Sequence, residues 1–98
     1  MDRSRIIETL RGHSEELRAA GVVHLSVFGS VARGDASGQS DVDLMADFDK
    51  SRRLTLVKLG GLQERLSEWL GTEVDLSSAE WMKEPVRSRA MREAVLVF

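Results

Sequence analysis

An alternation of charged and apolar residues near the middle of this 98-residue chain constrains its fold more than any other feature. From Asp41 to Asp47 the sequence reads Asp-Val-Asp-Leu-Met-Ala-Asp. Because successive side chains of a β-strand point to opposite faces of a sheet, this period of two predicts a strand with its polar side turned one way. The aspartates should therefore share one face, and the apolar residues should face a core.

The segments around this strand show either helical spacing of apolar residues or short β-branched runs. Helices are expected over 5–20, 54–70 and 84–93. Further strands are expected over 22–28 and 73–77, with a terminal strand or core-docking tail over 94–98. The glycine-rich stretch 29–39 has turn chemistry, and a short helix can begin at Ser30.

This order of elements predicts one α/β domain over residues 1–98, a sheet with helices packed on it. With 42% hydrophobic residues the chain can bury one modest core. The strand over 22–28 should be largely buried on both faces, which would make His24 a core histidine. Gly60 and Gly61 should weaken the helix around them by roughly 1 kcal/mol each relative to alanine.

Composition excludes several classes of function. The chain has no cysteine, which rules out disulfides, thiolate metal sites and cysteine nucleophiles. Fourteen Lys and Arg against sixteen Asp and Glu argue against tight binding of duplex nucleic acid through charge. No apolar run approaches the roughly 20 residues that cross a bilayer, and the charged first residues lack a signal-peptide pattern. We therefore expect a cytoplasmic protein without a membrane role.

The aspartates of the alternating strand are candidate metal ligands. Asp41 and Asp43, two residues apart on a strand, leave the same face and can bind one hard cation or a pair of them. Carboxylate oxygens suit Mg²⁺, which commonly binds through a few carboxylates together with substrate phosphates. Asp75 lies in the next predicted strand between Val74 and Leu76, and it completes a three-carboxylate cluster if the two strands pair.

The turn that follows the first strand is a candidate phosphate site. Glycine at position 29 lets backbone N–H groups approach phosphate oxygens that a side chain would block. Ser30 adds a hydroxyl donor, and Arg33, one helical turn on, adds positive charge. Ser40 is expected to order the backbone before the aspartate pair.

Together these motifs identify a family. The run Gly29-Ser30-Val31-Ala32-Arg33-Gly34 followed by Ser40-Asp41-Val42-Asp43-Leu44 resembles the signature of the nucleotidyltransferase superfamily related to polymerase beta, in its minimal (MNT) branch. The later Val74-Asp75-Leu76 is similar to the third-carboxylate strand of that family, and the resemblance extends over nearly the whole chain. It implies a mixed sheet of about three to five strands. It also implies that Gly34 contacts the nucleotide together with Gly29 and Ser30.

The resemblance also implies chemistry and a partner. Members of this family usually carry two Mg²⁺ ions and take ATP as donor. Small stand-alone members are often antitoxins that attach AMP to a tyrosine of a HEPN-domain ribonuclease toxin. The chain itself has no tyrosine, so it cannot modify itself on one. Either Asp75 or a bound hydroxide could take the proton of the acceptor.

The residues leave two other functions open. The chain could silence a toxin by contact alone, as a binding antitoxin without catalysis. It could also be the nucleotidyl-transferring subunit of an enzyme that modifies a small molecule such as an antibiotic. No residue names the acceptor, the number of nucleotides transferred or the base preference.

Overall fold

The computed structural model describes residues 2–34 and 41–98, and within them the chain forms a mixed sheet flanked by helices. The helices are α1 (Arg3–Gly12), α2 (Ser14–Ala19), α3 (Gly29–Arg33), α4 (Leu56–Leu70) and α5 (Val86–Glu93). The strands are β1 (Val22–Phe28), β2 (Val42–Phe48), β3 (Val74–Ser78) and β4 (Val95–Leu96), and a 3-10 turn covers Ala79–Trp81. The predicted α/β class is confirmed. Among the described residues, no helix has the length and apolar character that crossing a bilayer requires.

The four strands lie in the order β3-β2-β1-β4. Strand β1 pairs antiparallel with both β2 and β4, whereas β2 and β3 are parallel because α4 connects them as a crossover. In this register Asp43 lies beside Phe28 on one side and beside Asp75 on the other. The topology therefore brings two of the predicted ligands to adjacent positions.

The main core lies between one face of the sheet and helices α1, α2 and α4. The face of β2 that carries Leu44 and Ala46 packs there against Leu10 and Leu66, all fully buried. The opposite face of β2, which carries Asp43 and Met45, is covered only in part: Met45 packs with Ala90 of α5 and Ala79 of the 3-10 turn. The alternation of β2 thus separates a buried face from a partly open one, as its period predicted.

The first helix is broken where the sequence predicted continuity over 5–20. Helix α1 ends at Gly12 and α2 begins at Ser14, with His13 between them at φ −107° and ψ 15°. The His13 ring stacks on Trp69 of α4 with ring centroids 3.8 Å apart, and its Nδ1 lies 2.8 Å from Glu16 Oε1. This contact between distant parts of the chain overrides the local helical spacing.

Strand β1 is not buried on both faces, so that prediction is wrong at its beginning. Val23 is 45% exposed and His24 is exposed, which also corrects the expectation of a core histidine. The pairing of β1 with β2 shifts between Val22 and His24, and such an irregularity turns side chains away from their regular alternation. His24 Nδ1 lies 3.4 Å from the Phe98 carbonyl oxygen.

Helix α4 runs without interruption through Gly60 and Gly61. Thr55 caps it by accepting a hydrogen bond from the Lys58 amide at 3.2 Å, and Gly71 ends it at φ 69°. Two side chains of α4 also reach the edge strand of the sheet. Gln63 Oε1 accepts from the Leu76 amide at 2.9 Å, and Ser67 Oγ accepts from the Val74 amide at 3.1 Å. Helix α4 therefore both covers the core and satisfies outer amides of β3.

Candidate active site

The three predicted carboxylates lie at the beginning of β2 and β3. Asp43 and Asp75 occupy paired positions on these parallel strands, and both belong to the sheet face that the core helices leave open. Asp43 is half-buried, Asp75 is exposed, and Asp41 is exposed just before β2 begins. The fold therefore brings aspartates from two separate parts of the sequence to the place where β2 and β3 begin, and we call this place the carboxylate edge.

Their charges are close enough to affect one another. Burial raises the pKa of Asp43 above its ordinary value, and the negative charges of Asp75 and Asp41 raise that pKa further. The positive charge of Arg33 acts in the opposite direction. A carboxylate held among like charges is stabilised by a cation, which makes Asp43 a candidate ligand.

Gly29 lies so close to Asp43 that a side chain at position 29 would displace the Asp43 carboxylate. Its φ is +71°, a left-handed conformation that L side chains rarely adopt. A Cβ added at this position would lie 2.4 Å from Asp43 Oδ2. Two features therefore favour glycine at the beginning of α3: the positive φ of the backbone and the close approach of the Asp43 carboxylate.

The other predicted nucleotide contacts follow Gly29 along α3. Ser30 is half-buried in the first turn of this five-residue helix, and Gly34 ends it at φ +78° with its N–H donating to Val31. Arg33 is exposed at the end of α3. The structure brings Gly29, Ser30 and Arg33 to the carboxylate edge, whereas Ser40 lies outside the described residues.

Two contacts that the sequence did not reveal position α3. Arg33 Nη1 lies 3.1 Å from Glu93 Oε2 in α5, and Arg3 Nη1 of α1 donates to the Ala32 carbonyl at 2.7 Å. Glu93 is 60 positions from Arg33, and no periodicity or motif links the two. These long-range contacts hold the short helix between α1 and α5.

The donor chemistry of this edge fits Mg²⁺, because its acidic groups are hard oxygen ligands. Within residues 2–34 and 41–98, however, no three acidic or histidine side chains converge as a group able to hold a metal ion. A cavity of about 420 Å³ within that same part of the chain also lies elsewhere, between the end of β2 and α4. The pairing of Asp43 with Asp75 and the contact of Asp43 with Gly29 bring reactive groups together at the beginning of β2 and β3, whereas the cavity does not contain them.

Comparison with known proteins agrees with this geometry. The family model described as nucleotidyltransferase domain matches residues 9–97. A protein of Thermococcus cleftensis named protein adenylyltransferase MntA is 39% identical over 89 residues, which make up 90% of this chain and 88% of that protein. A solved structure provisionally described as a minimal nucleotidyltransferase is 37% identical, with a TM-score of 0.71 over 97% of this chain and 95% of the other.

A more distant likeness concerns the fold alone. A chain from the complex of a tri-AMPylated Shewanella oneidensis HEPN toxin with an MNT antitoxin superposes with a TM-score of 0.69, covering 94% of this chain and 71% of its own length. Its sequence identity is 15%. The family model and the closer relatives together settle the membership: this chain belongs to the nucleotidyltransferase domain family and is a nucleotidyltransferase.

Proposed function

We propose that this chain transfers AMP from ATP to a hydroxyl group of a partner protein, a tyrosine of a HEPN ribonuclease toxin, and so acts as a cytoplasmic antitoxin. The observation that carries the proposal is the packing of the Asp43 carboxylate on Gly29 beside Asp75. This arrangement joins a cation-binding edge to a turn that can hold phosphate. A nucleoside triphosphate with its divalent cation needs both.

In this proposal Asp41, Asp43 and Asp75 hold Mg²⁺, in two ions as is usual for the family. A cation held by these aspartates would neutralise phosphate charge. Asp43 is the ligand best fixed by the fold, since it is half-buried and packed on Gly29. Asp75 is exposed and accepts the proton of the acceptor hydroxyl.

The turn and α3 hold the phosphates. Backbone N–H groups at Gly29 and Ser30 and the Ser30 hydroxyl donate to phosphate oxygens, because no Cβ at position 29 keeps them away. Arg33 adds positive charge to this group, and its ion pair with Glu93 fixes its approach. Gly34 and Ser40 complete the nucleotide contacts at the two ends of the segment that connects α3 to Asp41.

The transfer itself exchanges a phosphoanhydride bond of ATP for a phosphate ester of the acceptor. The acceptor oxygen forms a bond to the α-phosphorus, the bond from that phosphorus to the bridging oxygen of the β-phosphate breaks, and pyrophosphate leaves. The acceptor proton passes to the Asp75 carboxylate. Positioning and charge neutralisation provide most of the rate in such reactions, which is consistent with a site built mainly of carboxylates and backbone.

The partner is proposed from the relatives. The Thermococcus cleftensis protein is named a protein adenylyltransferase, and the Shewanella oneidensis complex joins an AMP-bearing HEPN toxin to an MNT antitoxin. This chain contains no tyrosine, so an acceptor tyrosine has to belong to another protein. A HEPN toxin satisfies both points.

The test is transfer of label from ATP labelled at the α-phosphate, with Mg²⁺ and a lysate of the source cells. We would compare the wild type with Asp43→Asn and with Asp47→Asn as the matched control. Asp47 lies on the same strand, at a position of the same parity, and is exposed, so the control makes an identical chemical change away from the edge. Label should appear on one discrete protein with the wild type and Asp47→Asn, and be absent with Asp43→Asn.

Each of the other outcomes would favour a different function or a different site. Label on RNA or on a small molecule would replace the acceptor and favour a subunit that modifies small molecules. Equal labelling by Asp43→Asn would remove Asp43 from the site. No transfer with any of the four nucleotides, together with toxin neutralisation by the Asp43→Asn variant, would favour a binding antitoxin without catalysis.

A further inference from the structure

A second candidate site lies at the other end of β2, on the other face of the sheet. There a cavity of about 420 Å³ opens between the end of β2 and the first half of α4, and we name it the basic cavity. Its apolar lining includes Phe48, Leu54 and Leu62. Four cationic residues also line it, Arg52, Arg53, Lys58 and Arg65, against one acid, Asp49. The surroundings therefore favour a ligand with an apolar body and negative charge.

The basic cavity is separate from the carboxylate edge. Five positions of β2 separate Asp43 from Phe48, which is about 16 Å at the rise of a strand. The two side chains also leave opposite faces of the sheet, because five is an odd number of positions. A molecule held in the basic cavity thus leaves the nucleotide site free.

The beginning of α4 departs from several rules of helix formation at this place. Leu56 is 76% exposed and Val57 is 85% exposed, although large apolar side chains are normally covered. The first turn contains no acidic residue, and Lys58 puts a positive charge where the helix dipole favours a negative one. Such departures without an internal benefit are expected where a surface binds something.

Several of the cations are already held in place. Arg52 Nη1 donates to the Ala19 carbonyl at 2.7 Å. Arg65 Nη2 lies 3.2 Å from Glu16 Oε2, and its guanidinium lies 5.1 Å from the centroid of the Trp69 ring. Lys58 Nζ donates to the Arg53 carbonyl at 3.1 Å. Groups fixed before binding lose less conformational freedom when a ligand arrives.

We propose that the basic cavity docks the protein acceptor, through a segment in which an apolar side chain is flanked by carboxylates. The identity of that partner as the acceptor rests on the proposed function, whereas the binding of such a segment does not. The apolar side chain enters between Phe48 and Leu62, and the carboxylates pair with Arg53 and Lys58. Docking here holds the acceptor while its hydroxyl reaches the carboxylate edge.

A polypeptide fits this surface better than a small anion does. Leu56 and Val57 extend the apolar surface beyond the cavity, over an area that a small molecule inside it would not cover. Protein interfaces combine an apolar centre with a polar rim and are enriched in arginine. Gly60 and Gly61 leave open space on the same helix, so that a partner backbone can approach closely.

The first experiment measures binding of fluorescein-labelled peptides by anisotropy without nucleotide. The probe is Glu-Asp-Leu-Phe-Asp-Glu, compared with the charge-inverted Lys-Arg-Leu-Phe-Arg-Lys and with Glu-Asp-Ala-Ala-Asp-Glu. The wild type should bind the first peptide saturably and the other two at least about 10-fold more weakly. Equal binding of the charge-inverted peptide, or no saturable binding of the probe, would overturn the proposal.

Two variants locate the site. Arg53→Glu with Lys58→Glu should raise the Kd of the probe at least about 10-fold, whereas Arg5→Glu with Lys83→Glu, which changes net charge equally outside the cavity, should not. Gly61→Leu should also weaken binding, because it fills the cavity from a helix position with open space. Unchanged binding by both cavity variants would exclude this surface.

A third readout separates this proposal from the proposed function. With the acceptor found by labelling, the Arg53→Glu, Lys58→Glu variant should raise the KM for that protein and leave kcat unchanged. Failure of all labelling while peptide binding persists would reject AMP transfer and retain the docking surface. Displacement of the probe by stoichiometric ATP or AMP would instead assign the basic cavity to a phosphate ligand and overturn the proposal.

Discussion

Glycines near the two ends of β2 have different surroundings. At the carboxylate edge, Gly29 is required by the molecule itself, because a Cβ there would lie 2.4 Å from Asp43 Oδ2. At the basic cavity, a Cβ added to Gly60 or Gly61 would meet no neighbouring atom within 4 Å, and both glycines sit in a helix that alanine would stabilise. The first end is closely packed around acidic groups, and the second is open beside basic ones.

This difference distinguishes a glycine that the fold requires from glycines that the fold does not require. The conformation of Gly29 is explained by its φ and by its neighbour in the fold. No contact within the described residues requires glycine at positions 60 and 61, and the open space beside them is available to the partner that we propose for the basic cavity. Substitutions at the two ends should therefore have effects of opposite sign on stability.

The largest expected effect is that of Gly29→Ala. The added Cβ displaces Asp43 and strains the backbone, so the free energy of unfolding should fall by about 1–3 kcal/mol and AMP transfer by at least about 100-fold. The matched control is Gly71→Ala, with φ +69° in place of +71° but no atom within 4 Å. Urea denaturation and initial transfer rates would check both. Equal loss of transfer in the control would reduce the role of Gly29 to backbone strain.

Replacing Gly60 and Gly61 by alanine should stabilise the protein. Each substitution should raise the free energy of unfolding by about 1 kcal/mol, because it removes chain entropy from the unfolded state and meets no neighbour in the folded one. Urea denaturation measures the gain. The same double variant should bind the acidic probe peptide more weakly. A destabilised variant would mean that these glycines serve the fold after all.

Asp43→Asn should stabilise the metal-free protein while it abolishes transfer. The substitution removes a negative charge that burial and the charges of Asp75 and Asp41 disfavour. We expect the free energy of unfolding to rise by only about 0.5–1 kcal/mol at low salt, because solvent screens this partly exposed group. Because the folded-state pKa of Asp43 is raised, its ionisation lowers stability as pH rises through that pKa. The difference between variant and wild type should therefore disappear in acid. Thermal denaturation in chelator over a pH series measures this difference.

The same thermal denaturation with added Mg²⁺ tests whether Asp43 binds the cation. An ion that binds only the folded state raises its stability, so Mg²⁺ should stabilise the wild type and Asp47→Asn more than Asp43→Asn. An equal response of all three proteins would place the cation away from Asp43.

The smallest expected effect is that of Lys58→Glu. Glutamate at this position of α4, three residues after the Thr55 cap, completes a capping box and complements the helix dipole. The free energy of unfolding should rise by about 0.5 kcal/mol at low salt, as measured by urea denaturation. Lys83→Glu, the same substitution at an exposed position outside the helices, is the control for a general charge effect, and a similar gain in that variant would cancel the argument from the helix terminus.

Much of the fold followed from local pattern. The period of two in β2, the glycine that ends α4 and the turn after β1 are all properties of short segments, and most predicted elements lie within a few residues of their expected bounds. The helix over 5–20 failed because the stacking of His13 on Trp69 joins distant parts of the chain. The exposure of Val23 was not predicted for a similar reason, because the sequence of β1 alone does not show an irregularity in its pairing with β2.

The two candidate sites differ in how far sequence could reveal them. Motif order pointed to Asp41, Asp43 and Asp75, and the register of β2 with β3 then gave Asp43 and Asp75 their proximity. The ion pair of Arg33 with Glu93 and the lining of the basic cavity combine residues from separate elements without any shared spacing. Contacts of that kind depend on tertiary packing, which periodicity does not encode.

The hydrogen bonds from β3 to Gln63 and Ser67 have a consequence for how large molecules approach Asp75. An edge strand with unpaired amides invites another chain to add itself as a further strand. Here side chains of α4 already occupy the Val74 and Leu76 amides, on either side of Asp75. In the transfer that we propose, a partner protein can therefore approach Asp75 from this side without adding a strand to the sheet.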